Sequence, residues 1–319
     1  MKTWIGLDIG GTRLKGGALD DRGCVIARSV ESTHPGQSLR VFERQINTLV
    51  GRLDRRAGGG LAGIGVAITG PVDSRIGCVY LPGKIRGLDR RRTIPHLRRR
   101  WRVPVNGDND GRLACYAEWR AGAGRGVKNL VVFTLGTGIG SGVVFDGHLL
   151  RDRHFHRGTQ CGHMIIDLNG PRCLTGAAGT GESLASVTAL VQSACDPMTR
   201  GPETSIAGRQ PAEITFPDVV AAVRRRDRVM CEVFDRWLKR FTAVVLYAYY
   251  AYTPDLILLA GRPVEAAAIF FRKLEARLNA TAFRVPVGYR IPVRAARQGS
   301  GAGWIGGALM ARESFGGGA

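Results

Sequence analysis

The chain has 319 residues, of which 44% are hydrophobic, and a mean hydropathy of -0.05, values typical of a soluble globular protein with room for two domains. No apolar run approaches membrane-spanning length, and the start leads directly into a predicted strand rather than a signal peptide, so we expect no membrane contact and a cytoplasmic location. The net charge of +20 is carried mainly by arginines whose densest runs fall in predicted helices, which favours solvated helix faces over a nucleic-acid surface.

The first predicted element is a buried strand over residues 3–9, which a glycine pair follows. Two glycines let the chain turn sharply where a Cβ would obstruct a bound phosphate, and backbone N–H groups in such a turn suit an anionic ligand. The carboxylate at the end of the strand is a candidate ligand for hydrated Mg²⁺. A plain hairpin turn is the alternative interpretation of this stretch taken alone. The residues of the candidate phosphate site are Asp8, Gly10, Gly11, Thr12 and Lys15.

The following elements form a first α/β unit. Apolar spacing predicts strands over 14–20 and 24–30, a helix over 38–56, a buried strand over 61–68 and a basic helix over 89–101. After a brief strand at 103–105, a polar turn opens a helix that runs to about Arg120. In that turn Asp110, taken alone, is a candidate helix N-cap, for which Asp is a favoured residue.

A second turn rich in glycine and threonine lies at residues 136–140, between two apolar strands. Two such hairpins in successive halves of the chain suggest a duplicated unit, and the glycine-rich stretch 122–126 is the predicted link between the halves. The remaining pattern predicts helices over 215–223 and 228–252, a buried strand over 255–261, a helix over 264–278, a strand over 287–293 and a closing helix over 301–312.

The order of short motifs along the chain resembles that of the ROK family (repressors, open reading frames and kinases). The motifs are Asp8-Ile9-Gly10-Gly11-Thr12, Gly70-Pro71-Val72-Asp73, Asn109-Asp110, Leu135-Gly136-Thr137-Gly138-Ile139-Gly140, Gly162-His163-Met164 and Glu182. The resemblance implies an α/β, two-domain actin-like ATPase (ribonuclease H-like) fold with the active site in the interdomain cleft. It also implies an N-terminal domain over 1–120, a C-terminal domain over 121–300, and a helix near 301–314 that packs back on the first domain.

Kinase members of this family phosphorylate hexoses and N-acetylhexosamines with Mg-ATP, so the resemblance implies an ATP-dependent carbohydrate kinase that forms a homodimer. Its motifs imply Asp110 as the base that accepts the proton of the sugar hydroxyl. The implied phosphate and ATP contacts are Asp8, Gly10, Gly11, Thr12, Lys15, Gly136, Thr137, Gly138 and Gly261. The implied sugar contacts are Asn109, Asp110, Gln160, His163 and Glu182. A carboxylate in the first turn of a helix that begins near residue 183 is the structural alternative for Glu182.

The chain departs from the family where most members hold a structural zinc. Those members use a histidine and three cysteines, whereas here Thr175 and Thr180 replace two of the cysteines and only Cys173 remains. One cysteine and one histidine cannot complete a tetrahedral site, so we expect no zinc. A rearranged site that uses His154, His156, Cys161 or His163 matches no standard spacing.

Two further substitutions affect the candidate sugar site. Gln160 stands where the family commonly has glutamate, and its neutral amide keeps the capacity to donate and accept hydrogen bonds while altering substrate preference. Arg112 stands for an asparagine beside the presumed base, where a positive charge either weakens that base or recognises an acidic sugar.

Three rival functions stay open, of which a basic nucleic-acid binder, suggested by the net charge of +20, is the third. Polyphosphate glucokinases resemble this family, lack the zinc pattern and share the turn at residues 135–141, so polyphosphate is the alternative phosphate donor. A non-catalytic sugar sensor is favoured by Gln160, Arg112 and the missing zinc ligands. Family repressors carry a helix-turn-helix domain ahead of the first phosphate motif; seven residues precede Asp8 here, so we expect no DNA-binding domain.

Overall fold

The computed structural model describes residues 1–33, 38–79, 92–152, 158–196, 204–261, 264, 268–283 and 288–316. The chain divides into two compact units. The first unit consists of Met1–Val127, Gly142–Thr159 and Arg297–Ala319, and the second consists of Lys128–Ser141 and Gln160–Ala296. Among the helices in the described ranges, none is both long and apolar enough to cross a membrane. The domain boundaries given above stay a prediction.

A five-stranded sheet in the order β3, β2, β1, β4, β7 forms the centre of the first unit. Its strands are β1 (Thr3–Ile9), β2 (Arg13–Leu19), β3 (Val25–Ser32), β4 (Leu61–Ile68) and β7 (Val105–Asn109). β1 pairs antiparallel with β2 and parallel with β4, and β4 pairs parallel with β7. Strands β1 and β4 are buried along most of their length, as expected of strands covered by helices on both faces.

Helices cover this sheet with two apolar clusters. The helices are α1 (Leu39–Arg56), α2 (Thr93–Trp101), α3 (Asp110–Ala121) and α9 (Ala302–Phe315), and the small strands β5 (Val72–Asp73) and β6 (Cys78–Val79) lie between α1 and α2 in sequence. Phe42 of α1 and Leu97 of α2 belong to one cluster. Leu113 of α3 and Trp304 of α9 belong to the other. The apolar residues that recur along α1 therefore form the side of the helix that packs on the sheet.

A second five-stranded sheet has the order β10, β9, β8, β11, β12. Its strands are β8 (Leu130–Leu135), β9 (Ile139–Phe145), β10 (His148–Leu149), β11 (Leu256–Ala260) and β12 (Val293–Ala295). The helices of the second unit are α4 (Gly181–Ala185), α5 (Val187–Cys195), α6 (Phe216–Arg224), α7 (Arg228–Tyr252) and α8 (Ala268–Thr281). Trp237 and Phe241 of α7 are buried and stack in the core, with Phe241 against Phe133 of β8.

Helix α9 approaches the first sheet at backbone distance. A Cβ on Gly6 of β1 would lie 1.8 Å from the Trp304 carbonyl oxygen, and one on Gly65 of β4 would lie 1.8 Å from the Gly307 carbonyl oxygen. No side chain fits at these two strand positions while the helix stays in place. The glycines therefore allow a helix to lie directly on the strands.

The last predicted strand is wrong in its limits. The prediction covered 287–293, whereas β12 is Val293–Ala295 and residues 284–287 lie outside the described residues. Pro292 explains the late start, because proline has no N–H for the ladder and contributes only its carbonyl, which accepts from Ile257. The N-terminal part of the helix predicted over 89–101 also lies outside the described residues, and α2 begins at Thr93.

Candidate active site

The first glycine turn joins β1 directly to β2. The Gly10 N–H donates to the Arg13 carbonyl over 3.0 Å, which closes the turn. Strand register places Asp8 opposite Lys15. The Lys15 Nζ donates to Asp8 Oδ2 over 3.3 Å and to the Ser300 carbonyl over 3.0 Å. The predicted phosphate contact Lys15 therefore has two protein partners in this structure.

The Asp8 carboxyl group has a pKa raised from 3.8 to about 6. Burial is the main cause, because it disfavours the charged form; Lys15 lowers the pKa, and the negative charge of Asp110 raises it. Helix α9 begins close by, since a Cβ on Gly303 would lie 3.0 Å from the Asp8 carboxyl carbon. The electrostatic effect of Asp110 means that the two predicted carboxylates of the first unit act on each other.

Asp110 is the first residue of α3, and the N-cap of that helix is Asn109. The Asn109 Oδ1 accepts from the Arg112 N–H over 3.2 Å, and the Asn109 Nδ2 donates to the Gly70 carbonyl over 3.1 Å. Asp110 Oδ1 accepts from the Gly111 N–H over 2.8 Å. The capping role considered for Asp110 therefore belongs to its neighbour.

Thr69 makes a contact with Asp110 that the sequence did not indicate. Its Oγ1 lies 3.0 Å from Asp110 Oδ2 and 3.2 Å from the Ile9 carbonyl oxygen. A hydroxyl has a single proton to donate, so the carboxylate and the carbonyl share one donor. The available sequence signal is a hydroxyl residue directly after the buried strand β4.

Arg112 is fully buried and pairs with Asp108, whose Oδ1 lies 3.2 Å from the Arg112 Nη1. Burial lowers the pKa of Arg112, and the Asp108 carboxylate opposes that shift. Arg112 stands two residues from Asp110 in α3, and helix residues at that spacing do not face each other. Because Asp108 lies in β7 and Arg112 in α3, no helical spacing in the sequence indicates this pair.

The second glycine turn lies between β8 and β9. The Gly136 N–H donates to the Gly138 carbonyl over 3.0 Å. Glu182, in the first turn of α4, accepts from the Ile139 N–H over 3.0 Å through Oε2. A Cβ on Gly138 would lie 2.1 Å from that oxygen. The structure therefore brings the predicted sugar ligand Glu182 directly onto the second turn.

Three other predicted residues lie near these elements of the second unit. Gly261 follows β11 with a φ of 109°, and a Cβ there would lie 2.0 Å from the Leu135 carbonyl oxygen. Gln160 precedes a short 3₁₀ helix, Cys161–His163, of which His163 is the last residue. The His163 Nδ1 is buried and has no hydrogen-bond partner among the described residues.

The predicted site residues fall into two groups, one in each unit. The threonines at the two turns, Thr12 and Thr137, are both exposed. The first unit contains Asp8, Gly10, Gly11, Thr12, Lys15, Asn109 and Asp110. The second unit contains Gly136, Thr137, Gly138, Gln160, His163, Glu182 and Gly261.

The loop expected to lack zinc is linked by hydrogen bonds. The Cys173 Sγ lies 2.9 Å from the Thr175 Oγ1, and Thr180 caps α4. Burial raises the pKa of the Cys173 thiol, but hydrogen bonds from Thr175 and Thr180 outweigh it and lower the pKa. Within the described ranges no group of three or more His, Cys, Asp or Glu side chains is placed to hold a metal. His154 and His156 lie outside those ranges, and the absence of zinc stays a prediction.

Comparison with known proteins gives relatives along the whole chain. A glucokinase of Halalkalibacterium halodurans is 28% identical over 97% of this chain and 95% of its own length. An N-acetylmannosamine kinase of Yersinia pseudotuberculosis is 26% identical over 99% of this chain and 100% of its own. A xylose repressor of Bacillus subtilis is 31% identical over 59% of this chain and 49% of its own.

Solved structures and a family profile agree with these relatives. The ROK family glucokinase of Streptomyces griseus, in complex with glucose and AMPPNP, superposes with a TM-score of 0.82 at 25% identity, over 98% of this chain and 99% of that one. The profile of the ROK family matches residues 4–314. Because that match leaves out only short stretches at either end, the chain belongs to the ROK family and has its actin-like two-domain fold.

Proposed function

We propose that the chain is a sugar kinase that transfers the γ-phosphate of Mg-ATP to a hydroxyl of a hexose or N-acetylhexosamine. The observation that carries the proposal is the placement of Asp110 at the start of α3, where Asn109 provides the cap and Thr69 contacts the carboxylate. The glucokinase and N-acetylmannosamine kinase relatives support this substrate class. The complex of the S. griseus enzyme with glucose and AMPPNP supports ATP as the donor.

Asp110 acts as the general base in this reaction. Its carboxylate takes the proton of the sugar hydroxyl as that oxygen forms a bond to the γ-phosphorus. The bond between the γ-phosphorus and the bridging oxygen breaks, and ADP leaves with that oxygen. Asn109, Gln160, His163 and Glu182 supply amide, imidazole and carboxylate groups suited to sugar hydroxyls.

The phosphates are assigned to the two glycine turns and the metal to Asp8. Mg²⁺ is commonly bound through one or two carboxylates together with the substrate phosphates, so a single largely buried aspartate with a second carboxylate near it fits such an ion. The bound ion would neutralise charge on the phosphates. Lys15 donates a hydrogen bond to the Asp8 carboxylate and would share that carboxylate with the ion.

A coupled phosphorylation assay tests the proposal. Hexoses, hexosamines and sugar acids are offered with Mg-ATP or with polyphosphate, and Asp110→Asn is assayed beside the wild type. We expect turnover with one sugar class and ATP, and a loss of about a hundredfold or more in the variant, since it keeps the shape but not the basicity of the side chain. An unchanged sugar-induced rise in melting temperature is the control for binding. Turnover with polyphosphate alone would contradict the assigned donor.

A sugar-binding regulator is the second candidate, favoured by the xylose repressor among the relatives and by Gln160 in place of glutamate. In that case a sugar raises the melting temperature while no donor is consumed. Asp110→Asn would then leave the sugar-induced rise in melting temperature nearly unchanged.

A further inference from the structure

Asp108 is the central residue of a buried ionic cluster in the first unit and lies two residues before the proposed base. The residue is fully buried. Its Oδ1 accepts from the Asn109 N–H over 2.8 Å and from the Arg112 Nη1 over 3.2 Å. Its Oδ2 accepts from the Arg151 Nε over 2.7 Å. One carboxylate thus accepts hydrogen bonds from a backbone N–H and from two guanidinium groups.

This cluster acts on the peptide that leads into α3. The Asn109 N–H is bonded to the Asp108 carboxylate, and the Asn109 side chain caps the helix. A shift of that carboxylate therefore moves the cap, and with it the first helical residue, Asp110. Small displacements at this point are expected to matter, because proton transfer requires the base within hydrogen-bond reach of the hydroxyl.

The two arginines of the cluster differ in how far they depend on Asp108. The Arg112 side chain is 1% exposed, and its Nε and Nη2 have no hydrogen-bond partner within the part of the chain that the structure describes. Removing Asp108 would therefore leave a buried, uncompensated charge, which is strongly destabilising. The Arg151 side chain is 40% exposed and can be replaced without burying a charge.

Arg151 comes from a distant part of the same unit. It follows β10, and its Nη2 contacts the Met310 Sδ on α9. Its guanidinium therefore connects the segment Gly142–Thr159 and helix α9 to the Asp108 carboxylate, at the end of β7.

We infer that Arg151 is a positioning residue for Asp110. It orients the Asp108 carboxylate, and this carboxylate sets the Asn109 cap and the direction of Asp110. The inference rests on the proposed function, since Asp110 is a base only if the chain is a kinase. Arg151 makes no hydrogen bond to the glycine turns among the described residues, so its loss lowers kcat and, through the Asn109 cap, alters the sugar KM, while the ATP KM stays near that of the wild type.

The test compares Arg151→Met, Arg151→Lys and the matched control Arg52→Met. Arg52 belongs to the same unit, is 37% exposed and pairs with Glu31 over 2.9 Å, so its replacement removes the same charge far along the sequence from the proposed base. We expect kcat to fall on the order of tenfold in Arg151→Met, with the ATP KM within about twofold of the wild type and the sugar KM raised by the displacement of Asn109. Arg151→Lys, which keeps a charged donor, recovers part of kcat, and Arg52→Met stays near the wild type.

Hydrogen exchange measured by mass spectrometry provides a second readout that does not need activity. The peptide containing residues 105–112 exchanges faster in Arg151→Met and at the wild-type rate in Arg52→Met. Wild-type kcat and exchange in Arg151→Met would overturn the inference. If the wild type phosphorylates no sugar, the proposed function fails, and the exchange result alone decides whether Arg151 holds the turn.

Discussion

At the scale of single residues, Asp8 combines two opposing requirements. Its position at the end of β1 suits a metal carried by nucleotide phosphates, yet its burial disfavours the charge that such a metal needs. Lys15 offsets part of this cost through its contact with the carboxylate. Asp8 is therefore expected to lower the stability of the empty protein at neutral pH.

The change Asp8→Asn tests that cost. The folded Asp8 has a pKa of about 6 against an ordinary 3.8, so the folded state holds more protons than the unfolded state between these values. Stability therefore falls as pH rises through this window. We expect Asp8→Asn to be more stable than the wild type at pH 7 to 8 by about 3 kcal/mol, with the difference vanishing below about pH 3. Thermal melting without nucleotide or metal measures it.

Asp73→Asn is the control of opposite sign. The Arg75 side chain holds the pKa of Asp73 below its usual range, so the ionised carboxylate stabilises the fold above pH 3.8. Its replacement should lower the melting temperature at neutral pH. Equal effects of the two substitutions would contradict the assignment of burial as the cause at Asp8.

Local motifs indicated some of these residues and not others. The polar turn before α3 predicts a carboxylate at a helix start, and Asp110 lies there. The partners of that turn were not predicted, because Arg151 is 43 residues from Asp108 and Thr69 is 41 residues from Asp110. Contacts at such separations leave no periodic signal in a single sequence.

At the scale of elements, α9 depends on glycines in the strands beneath it. Gly6 and Gly65 have no side chain at the two strand positions where the helix backbone lies closest. The start of the same helix lies beside Asp8, through Gly303. The packing of α9 therefore affects both the core of the first unit and the first glycine turn.

Gly65→Ala tests this close approach. Its Cβ would lie 1.8 Å from a backbone carbonyl, which cannot rotate away, so the helix must move outward. We expect a loss of about 1–3 kcal/mol in stability, the usual range for overpacking, together with weaker nucleotide binding. Gly158→Ala is the matched control, since no atom of the described residues lies within 4 Å of a Cβ built there. Thermal melting of both variants decides, and equal melting temperatures would contradict the argument.

Apolar periodicity predicted most helices and strands, because their buried residues recur at the spacing of a helix or a strand. The helix predicted over 38–56 is α1, and the strand over 61–68 is β4. β12 was misplaced because Pro292 cannot enter a ladder from its N–H side, and the apolar pattern around it carries no sign of that. Where one missing backbone N–H sets the end of a strand, apolar periodicity does not predict that end.

At the scale of the whole molecule, positive charge is the dominant property. The net charge of +20 comes from 46 basic and 26 acidic residues. Some of the arginines are used internally, as Arg112 and Arg151 are around Asp108. Others, such as Arg99 and Arg100 of α2, are exposed. A molecule of this charge attracts polyanions without a specific site.

We expect weak binding to duplex DNA or heparin that falls steeply as salt rises from about 50 to 200 mM. Fluorescence anisotropy with a labelled duplex over this range measures the affinity. Kinase turnover should be unaffected by the same polyanions at the higher salt concentration. Affinity that persists there would contradict a non-specific origin and support a nucleic-acid function.

The composition of the first unit from three separate segments bears on the order of folding. During synthesis, residues 1–127 leave the ribosome long before Arg297–Ala319, which includes α9. Until then the glycine-lined face of β1 and β4 lacks α9. The N-terminal unit is therefore completed last, contrary to the usual order in which N-terminal domains fold first.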